Sequence, residues 1–407
     1  MSDKTILYIS YDGMTDPLGQ SQVLPYIIGL SKEGYSFSLI SCEKKERFEK
    51  EGKKIRALCE KHGIDWYPLP FTTKPPLISK LLDKRRIKKL AISLYKEKKF
   101  SMVHCRSYVA AEIGLMLKKR FGTKFFFDMR GFWVDERVDG GIWNLNNPLY
   151  RLAYKAYKRK EGDYIRYADY IVSLTENAVA EIRSWSSYQG APFTVIPCSA
   201  DFSHFMVPDQ WTKAEAKENL DLSQAAPVIS YLGSVGTWYL LDEMLRFFVL
   251  IAERYPLAVF LIITAEKPSW ILQKAEALAI SADRIKIVSA SREQVPVFLG
   301  ASDLSLSFIK TSYSKKASSP TKLGELFAMG IPVVTNGDVG DVEKIVNDLQ
   351  AGRVLADFSE PEMRLAVDRL EELMAIDPGA LRVRAETYYD LRNAVRRYCD
   401  AYKEVLS

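Results

Sequence analysis

The chain has 407 residues, of which 47% are hydrophobic and 27% charged, and a formal net charge of +6. That length is too great for one ordinary core, so two domains are expected; the composition excludes a disordered chain, and no apolar run approaches the ~18 residues of a membrane span. Five cysteines without a Cys-x-x-Cys pair and three scattered histidines (His62, His104 and His204) argue against a thiol-ligated or histidine-rich metal site.

The first residues lead straight into an apolar run, Ile6–Ser10, with no small-residue cleavage site after it. No signal peptide is therefore expected, and the chain reads as cytoplasmic. Further strands are predicted at 37–41, 66–69, 102–105, 125–128, 170–174 and 194–197. Helical patterns near 22–32, 44–62, 77–98, 108–120, 147–166 and 176–187 separate them. This alternation predicts a mostly parallel sheet covered by helices on both faces.

Two stretches of this half stand out. Between 74 and 100, ten Lys or Arg are opposed only by Asp83 and Glu97, while Ile78, Leu81, Leu82, Ile87, Leu90, Ala91 and Leu94 fall at helical spacing. Such a helix either lies peripherally on an anionic membrane or presents a solvated charged face, and both readings stay open. No nucleic-acid partner is expected, since no known nucleic-acid module is present. The second stretch begins where the 125–128 strand ends, a position where doubly wound folds build sites. There Arg130 beside Asp128 can hold a phosphate bidentately, and Asp135 and Glu136 can contact acceptor hydroxyls. The alternative is a structural Arg–Asp network. His104 reads as a hydrogen-bonded core residue.

After a polar, irregular stretch to Pro227 the rhythm restarts, with strands predicted at 228–232, 259–264, 285–288, 304–308 and 332–335. The restart divides the chain into an N-terminal domain, 1–200, a C-terminal domain, 201–380, and a final helical region, 381–407. The expected fold class is α/β: two Rossmann-like, doubly wound parallel-sheet domains with a ligand cleft at their strand ends.

The strongest local signal runs from Ser318 to Val334. Ser319 can cap a helix, Pro320 suits its first turn, and Gly330 ends it before the next strand. Free amides and the dipole make a helix start an anion site. Lys322 in the first turn opposes the dipole, and a bound phosphate reverses that sign. Glu325, one turn on, shares a face with Thr321 and Lys322 and can accept hydrogen bonds from a sugar hydroxyl. A capped surface helix with an ordinary Lys–Glu pair is the other reading, and the residues alone leave both open.

This segment resembles the donor-binding helix of retaining GT-B glycosyltransferases of family 4, with its E-x7-E pattern followed by a small residue, Gly, x, Pro, Val, Val. Other pieces agree in order along the chain. The 169–175 stretch resembles the family's "AD-x-I-V" strand. The 195–201 stretch resembles its "V-I-P-N/C-G-V-D" hinge. The 231–236 stretch, with Gly233 and Ser234, resembles the first strand and loop of its donor domain.

The resemblance implies that Glu325 holds the ribose hydroxyls of a nucleotide donor. It implies that the backbone of Ser319, Pro320, Thr321 and Lys322 faces the diphosphate. It places Gly19 in the glycine loop after the first strand, where backbone approaches phosphate, and the last helix against the N-terminal domain. The sequence also departs from the family. Ser318 is taken for the place of the first Glu, Ser234 stands at the usual arginine, Trp238 and Tyr239 lie near the usual lysine, and Asp128 to Glu136 replaces the loop histidine.

The implied reaction is transfer of a sugar, with retention, from a nucleotide-diphosphate sugar to a glycan or lipid-linked acceptor. Lys322, Glu325 and Arg130 are the catalytic candidates. Helix amides and Lys322 take the leaving charge, so neither a metal nor another cofactor is expected. Alternatives are a GT-B nucleotide-sugar hydrolase or epimerase and a two-lobed sugar-binding protein. A nicotinamide dehydrogenase is disfavoured, because no G-x-G-x-x-G follows a strand.

Overall fold

Strands with apolar residues at successive positions, rather than at every second one, must be buried on both faces. The computed structural model, which describes residues 4–73 and 76–407, arranges them so. Met1, Ser2 and Asp3 at the start of the chain, and Lys74 and Pro75 in the basic segment, lie outside the described residues. Seven strands form the first sheet: β1 (Thr5–Ser10), β2 (Ser36–Glu43), β3 (Ile64–Pro70), β4 (Met102–Arg106), β5 (Lys124–Asp128), β6 (Tyr170–Ser173) and β7 (Phe193–Val195). They pair in parallel in the order β3-β2-β1-β4-β5-β6-β7, with Ile9 opposite Ile40 and Cys105. Along β1, Ile6 and Tyr8 enter one apolar core and Leu7 and Ile9 the other.

The second sheet contains β8 (Val228–Leu232), β9 (Val259–Ile263), β10 (Ile285–Val288), β11 (Leu304–Ser307), β12 (Val333–Asn336) and β13 (Gly352–Leu355). Its order is β10-β9-β8-β11-β12-β13, again parallel. Strand β13 is absent from the sequence reading. Only four residues long, it begins at Gly352 (φ +150°) and continues with Arg353, so it carries almost no apolar signal. In each sheet the order reverses beside the first strand, between β1 and β4 and between β8 and β11. The carboxyl ends there are where such sheets accommodate ligands.

The chain divides into two compact units. One runs up to Pro197 and includes Ser314–Ser318 and Leu391–Ser407; the other is Cys198–Tyr313 with Ser319–Asp390. The final helical region is two helices, Pro378–Tyr389 and Leu391–Leu406. They break at Asp390 because the Tyr389 carbonyl accepts the Ala200 N–H at 2.8 Å and Asp390 is extended. Only the second helix belongs to the first unit. It buries Ala394, Val395, Tyr398, Tyr402 and Val405, a helical stripe, among Ile6, Tyr8, Tyr26 and Phe126.

The basic segment forms the helix Pro76–Lys98. Its Ile87, Ala91 and Leu94 are buried in the core of the first unit, so packing on the sheet accounts for their spacing. Lys84 pairs with Glu112 at 2.7 Å and Lys98 with Asp65 at 2.6 Å, while Arg85, Lys88 and Lys89 are exposed. Among the described residues no helix is long and apolar enough to cross a membrane. All five cysteines carry buried thiols: Cys42, Cys59, Cys105 and Cys399 in the first unit and Cys198 in the second.

Candidate functional site

A lysine in the first turn of a helix opposes the helix dipole, so its surroundings show what holds it. The helix Thr321–Ala328 starts at Pro320, with no side-chain cap. Lys322 turns away from solvent toward the carboxyl end of β8. Its ammonium lies 3.7 Å from the Tyr239 ring centroid, 4.3 Å from that of Tyr231 and 3.1 Å from the Tyr231 hydroxyl. These are cation–π distances. The loop after β8 makes the space: Gly233 has φ +130°, and a Cβ there would stand 3.1 Å from the Lys322 Nζ. That conformation favours glycine, and a Cβ there would press on the Lys322 ammonium. The Tyr231 hydroxyl donates to the Ser234 carbonyl, and the Tyr239 N–H donates to the Gly236 carbonyl at 2.7 Å, which closes the loop around the amine.

The charges in this corner are out of their ordinary range. Burial pulls the Lys322 ammonium down to about 7, against the smaller opposing pull of Glu325. Burial likewise raises the Glu325 carboxyl to about 7, with Arg292 and Lys322 resisting. The Glu325 side chain is 14% exposed, and its Oε1 lies 3.8 Å from Arg292 Nη1, beyond hydrogen-bond reach. A buried ammonium and a largely buried carboxyl, both shifted by desolvation beside an uncapped helix start, are suited to an anion that brings its own negative charge.

The neighbouring residues divide. Ser319 does not cap the helix, because its hydroxyl accepts the Cys198 N–H at 3.1 Å; Pro320 occupies the cap position instead. Thr321 is the first helical residue. Ser234 is exposed in the β8 loop. The position eight residues before Glu325 is Ala317 rather than Ser318, and neither is a carboxylate. Ser318 falls with the first unit, where its N–H donates to the Lys315 carbonyl. Arg292 and Tyr231 went unread in the sequence, since they join Lys322 and Glu325 only through the fold.

In the first unit Gly19 lies in the helix Pro17–Gln22, where a Cβ would strike the Gly13 carbonyl oxygen at 2.1 Å. Its lack of a side chain therefore serves packing of that helix on the preceding turn, a turn held by Glu43 through the Met14 N–H (2.8 Å) and Thr15 N–H (3.0 Å). Asp128 is fully buried, accepting from Tyr398 Oη at 3.0 Å, with His104 Nε2 at 3.4 Å. Burial works to raise its carboxyl, but Arg130, His104 and Arg106 outweigh this and hold it below its ordinary value. His104 is buried and contacts Tyr402 Oη at 2.6 Å. Arg130 is 8% exposed, 3.8 Å from Asp128 Oδ1, and has φ +59°. Asp135 accepts from Tyr154 (2.8 Å) and Lys158 (3.0 Å), and Glu136 pairs with Lys315 at 3.0 Å. Among the described residues no cluster of three or more His, Cys, Asp or Glu is placed to hold a metal ion.

No protein-family model and no curated protein matches the sequence. Solved structures do match. Sucrose-phosphate synthase from Thermosynechococcus elongatus superposes with a TM-score of 0.69 at 14% identity, covering 98% of both chains. HepE from Anabaena, solved in complex with UDP and glucose, gives 0.69 at 12% identity over 97% of this chain and 98% of its own. WaaG, a glycosyltransferase involved in lipopolysaccharide biosynthesis, gives 0.67 at 15% identity over 97% and 98%. Two Rossmann-like parallel-sheet domains, of seven and six strands, thus give this chain the fold of the GT-B glycosyltransferases.

Proposed function

We propose that the protein is a glycosyltransferase that moves a sugar, with retention and without a metal, from a nucleotide-diphosphate sugar to a glycan or lipid-linked acceptor. The observation that carries this reading is the buried Lys322 ammonium against Gly233 and two tyrosine rings, at the start of an uncapped helix. Breaking the bond from the sugar to the diphosphate puts negative charge on the leaving oxygens. Lys322 and the first helix amides stabilise that charge as it grows, in a setting that needs no reorganisation. The leaving phosphate itself takes the acceptor proton, so no protein nucleophile is required. Glu325 holds the ribose hydroxyls. Gly19, Gly233, Ser234, Ser318, Ser319, Pro320 and Thr321 shape the donor side. Asp128 and Arg130 serve the acceptor side, with Asp135 and Glu136, whose carboxylates are already bonded, supporting them.

The fold likeness to HepE, solved with UDP and glucose, supports a nucleoside-diphosphate donor. The exposed Arg85, Lys88 and Lys89 support peripheral contact with an anionic membrane, carried by charge rather than by an apolar face. The test is a melting panel of nucleoside diphosphates and nucleotide sugars, with and without EDTA. One donor at a hundred times its Kd stabilises by about 2.7 kcal/mol and raises the melting point accordingly. Product analysis then separates glycoside from free sugar or epimer. No shift with any nucleotide at millimolar concentration removes the reading, and a shift abolished by EDTA removes its metal-free part.

A further inference from the structure

The helix Pro148–Tyr167 is capped at its start, where the Asn147 side chain accepts the Leu149 N–H, yet its first turns are hardly packed. Its buried residues, Glu161, Tyr164 and Ile165, all lie in its second half. In the first half Tyr154 and Tyr157 reach the core, and both are only partly buried. Leu149 and Leu152, three residues apart and so neighbours on one face, are 75% and 67% exposed. Ile142, in the loop before the helix, is 55% exposed and precedes Trp143, whose ring stacks on that of Tyr150. Apolar side chains exposed singly are ordinary, whereas a contiguous group of them marks an interaction surface.

Positive charge surrounds this group. From Ile142 to Lys160 the chain has five Lys or Arg and no Asp or Glu. Arg151, Lys155 and Arg159 form an exposed row beside the two leucines. The neighbouring helices extend the same surface. Pro76–Lys98, Ser107–Phe121 and Pro148–Tyr167 lie side by side on one face of the first sheet. Glu112 on the middle helix bridges them, bonded by Lys84 from one side (2.7 Å) and by Lys160 from the other (2.9 Å). Lys80 lies 5.8 Å from the Trp133 ring centroid, and Trp133 packs edge-on against Trp143 at 5.9 Å. The outer faces add exposed Arg85, Lys88, Lys89, Lys119 and Arg120. Against them stand Glu97, near the far end of its helix, and partly buried Asp163.

Several partners suit a basic surface, and the leucines choose among them. A second copy of the chain, docked through the same patch, sets this row of cations against itself. A nucleic acid pairs the cations but leaves Ile142, Leu149 and Leu152 wet. An anionic bilayer satisfies every part, with the acyl boundary for the aliphatic side chains, the headgroup level for Trp143 and Tyr150, and lipid phosphates for the cations. We propose that Ile142, Leu149 and Leu152 insert into an anionic lipid surface, with Arg151, Lys155 and Arg159 on its headgroups. This segment, rather than the helix Pro76–Lys98, anchors the first unit, and the exposed cations of that helix flank the anchor. The inference deepens the peripheral-membrane part of the transferase reading, and it rests on that reading only in taking the acceptor to be lipid-borne.

The experiment floats the full-length protein with phosphatidylcholine vesicles, with and without phosphatidylglycerol. It also measures quenching of the tryptophans by phosphatidylglycerol brominated in its acyl chains. The protein floats only when phosphatidylglycerol is present, and added salt weakens the binding. Leu149→Ser with Leu152→Ser weakens partition at least about tenfold, because two leucines no longer leave water. Lys155→Glu with Arg159→Glu weakens it comparably, and Trp143→Phe removes most of the quenching. The four side chains changed in the two double variants are exposed, so melting and nucleotide affinity stay as in the wild type. Unchanged flotation of the leucine variant, with loss only when Arg85, Lys88 and Lys89 are replaced by Ala, assigns the contact to the other helix and overturns the proposal. A dimer lost in the leucine variant, or retention of nucleic acid, in place of vesicle binding overturns it too. Nucleotide titrations of the same samples judge the transferase reading separately: nucleotide binding without flotation sinks only this surface, and flotation without nucleotide binding sinks only that reading.

Discussion

Lys322 shows how far one residue can be read before a fold is known. A cation in a helix's first turn contradicts the dipole, and that contradiction is visible in sequence order alone. Tyr239 was singled out near the family's usual lysine, but its contact with Lys322 was not visible, and neither were Tyr231, about ninety residues earlier along the chain, and Arg292, in an unremarked loop. The shifted Lys322 and Glu325 groups carry a prediction. Each titrates near pH 7 in the unliganded protein. A diphosphate needs the lysine charged and the carboxyl neutral, and both conditions fail as pH rises through about 7. Nucleoside-diphosphate affinity should therefore fall at least about tenfold per pH unit from pH 7.5 to 9, one proton being taken up per group. Glu325→Gln should make that slope shallower. A wild-type affinity flat from pH 6 to 9 by calorimetry would show that Lys322 does not meet the phosphates.

Among the elements, those with continuous apolar cores were legible and those held by contacts were not. Strand β8 was found with its bounds because Pro227 and Gly233 frame five buried residues. Strand β13 was missed because pairing with β12, not its own composition, makes it a strand. Ser319 was misread as a cap for a similar reason: its hydroxyl meets an amide more than a hundred residues away. Gly330, by contrast, was read correctly as a helix end. It has φ +68°, and a Cβ would lie 2.5 Å from Pro378. Gly330→Ala meets both left-handed strain and a backbone clash, so a loss of about 2–4 kcal/mol is expected in urea unfolding, with donor binding weakened alongside. A loss under 0.5 kcal/mol would mean that the helix Pro378–Tyr389 yields easily.

At the scale of the molecule, the restart of the strand rhythm made two units legible, and the reversal of strand order then placed candidate sites without any motif. What could not be read is which short segments belong to which unit. Ser314–Ser318 is too short to carry a pattern, and its membership follows from contacts such as Lys315 with Glu136 and the Thr175 hydroxyl with the Lys316 carbonyl. The last helix was easier, because its tyrosines repeat at helical spacing. Burial of Val395, Tyr398, Tyr402 and Val405 contributes about 6–12 kcal/mol gross, comparable with the whole net stability of a domain. A chain ending at Asp390 should therefore lose the cooperative unfolding of its first unit. Calorimetric melting within a few degrees of the full chain would contradict this.

The buried thiols make the protein its own clock. Burial pushes Cys42 and Cys59 up to about 12 and Cys399 to about 11, so in the native state they are poor nucleophiles as well as shielded ones. A thiol-specific reagent should react only as fast as each unit opens. Mass spectrometry can then time the two openings separately, by labels at Cys42, Cys59, Cys105 and Cys399 for one unit and at Cys198 for the other. A saturating nucleotide should slow labelling of Cys198, and equal rates with and without it would argue that the second unit binds none.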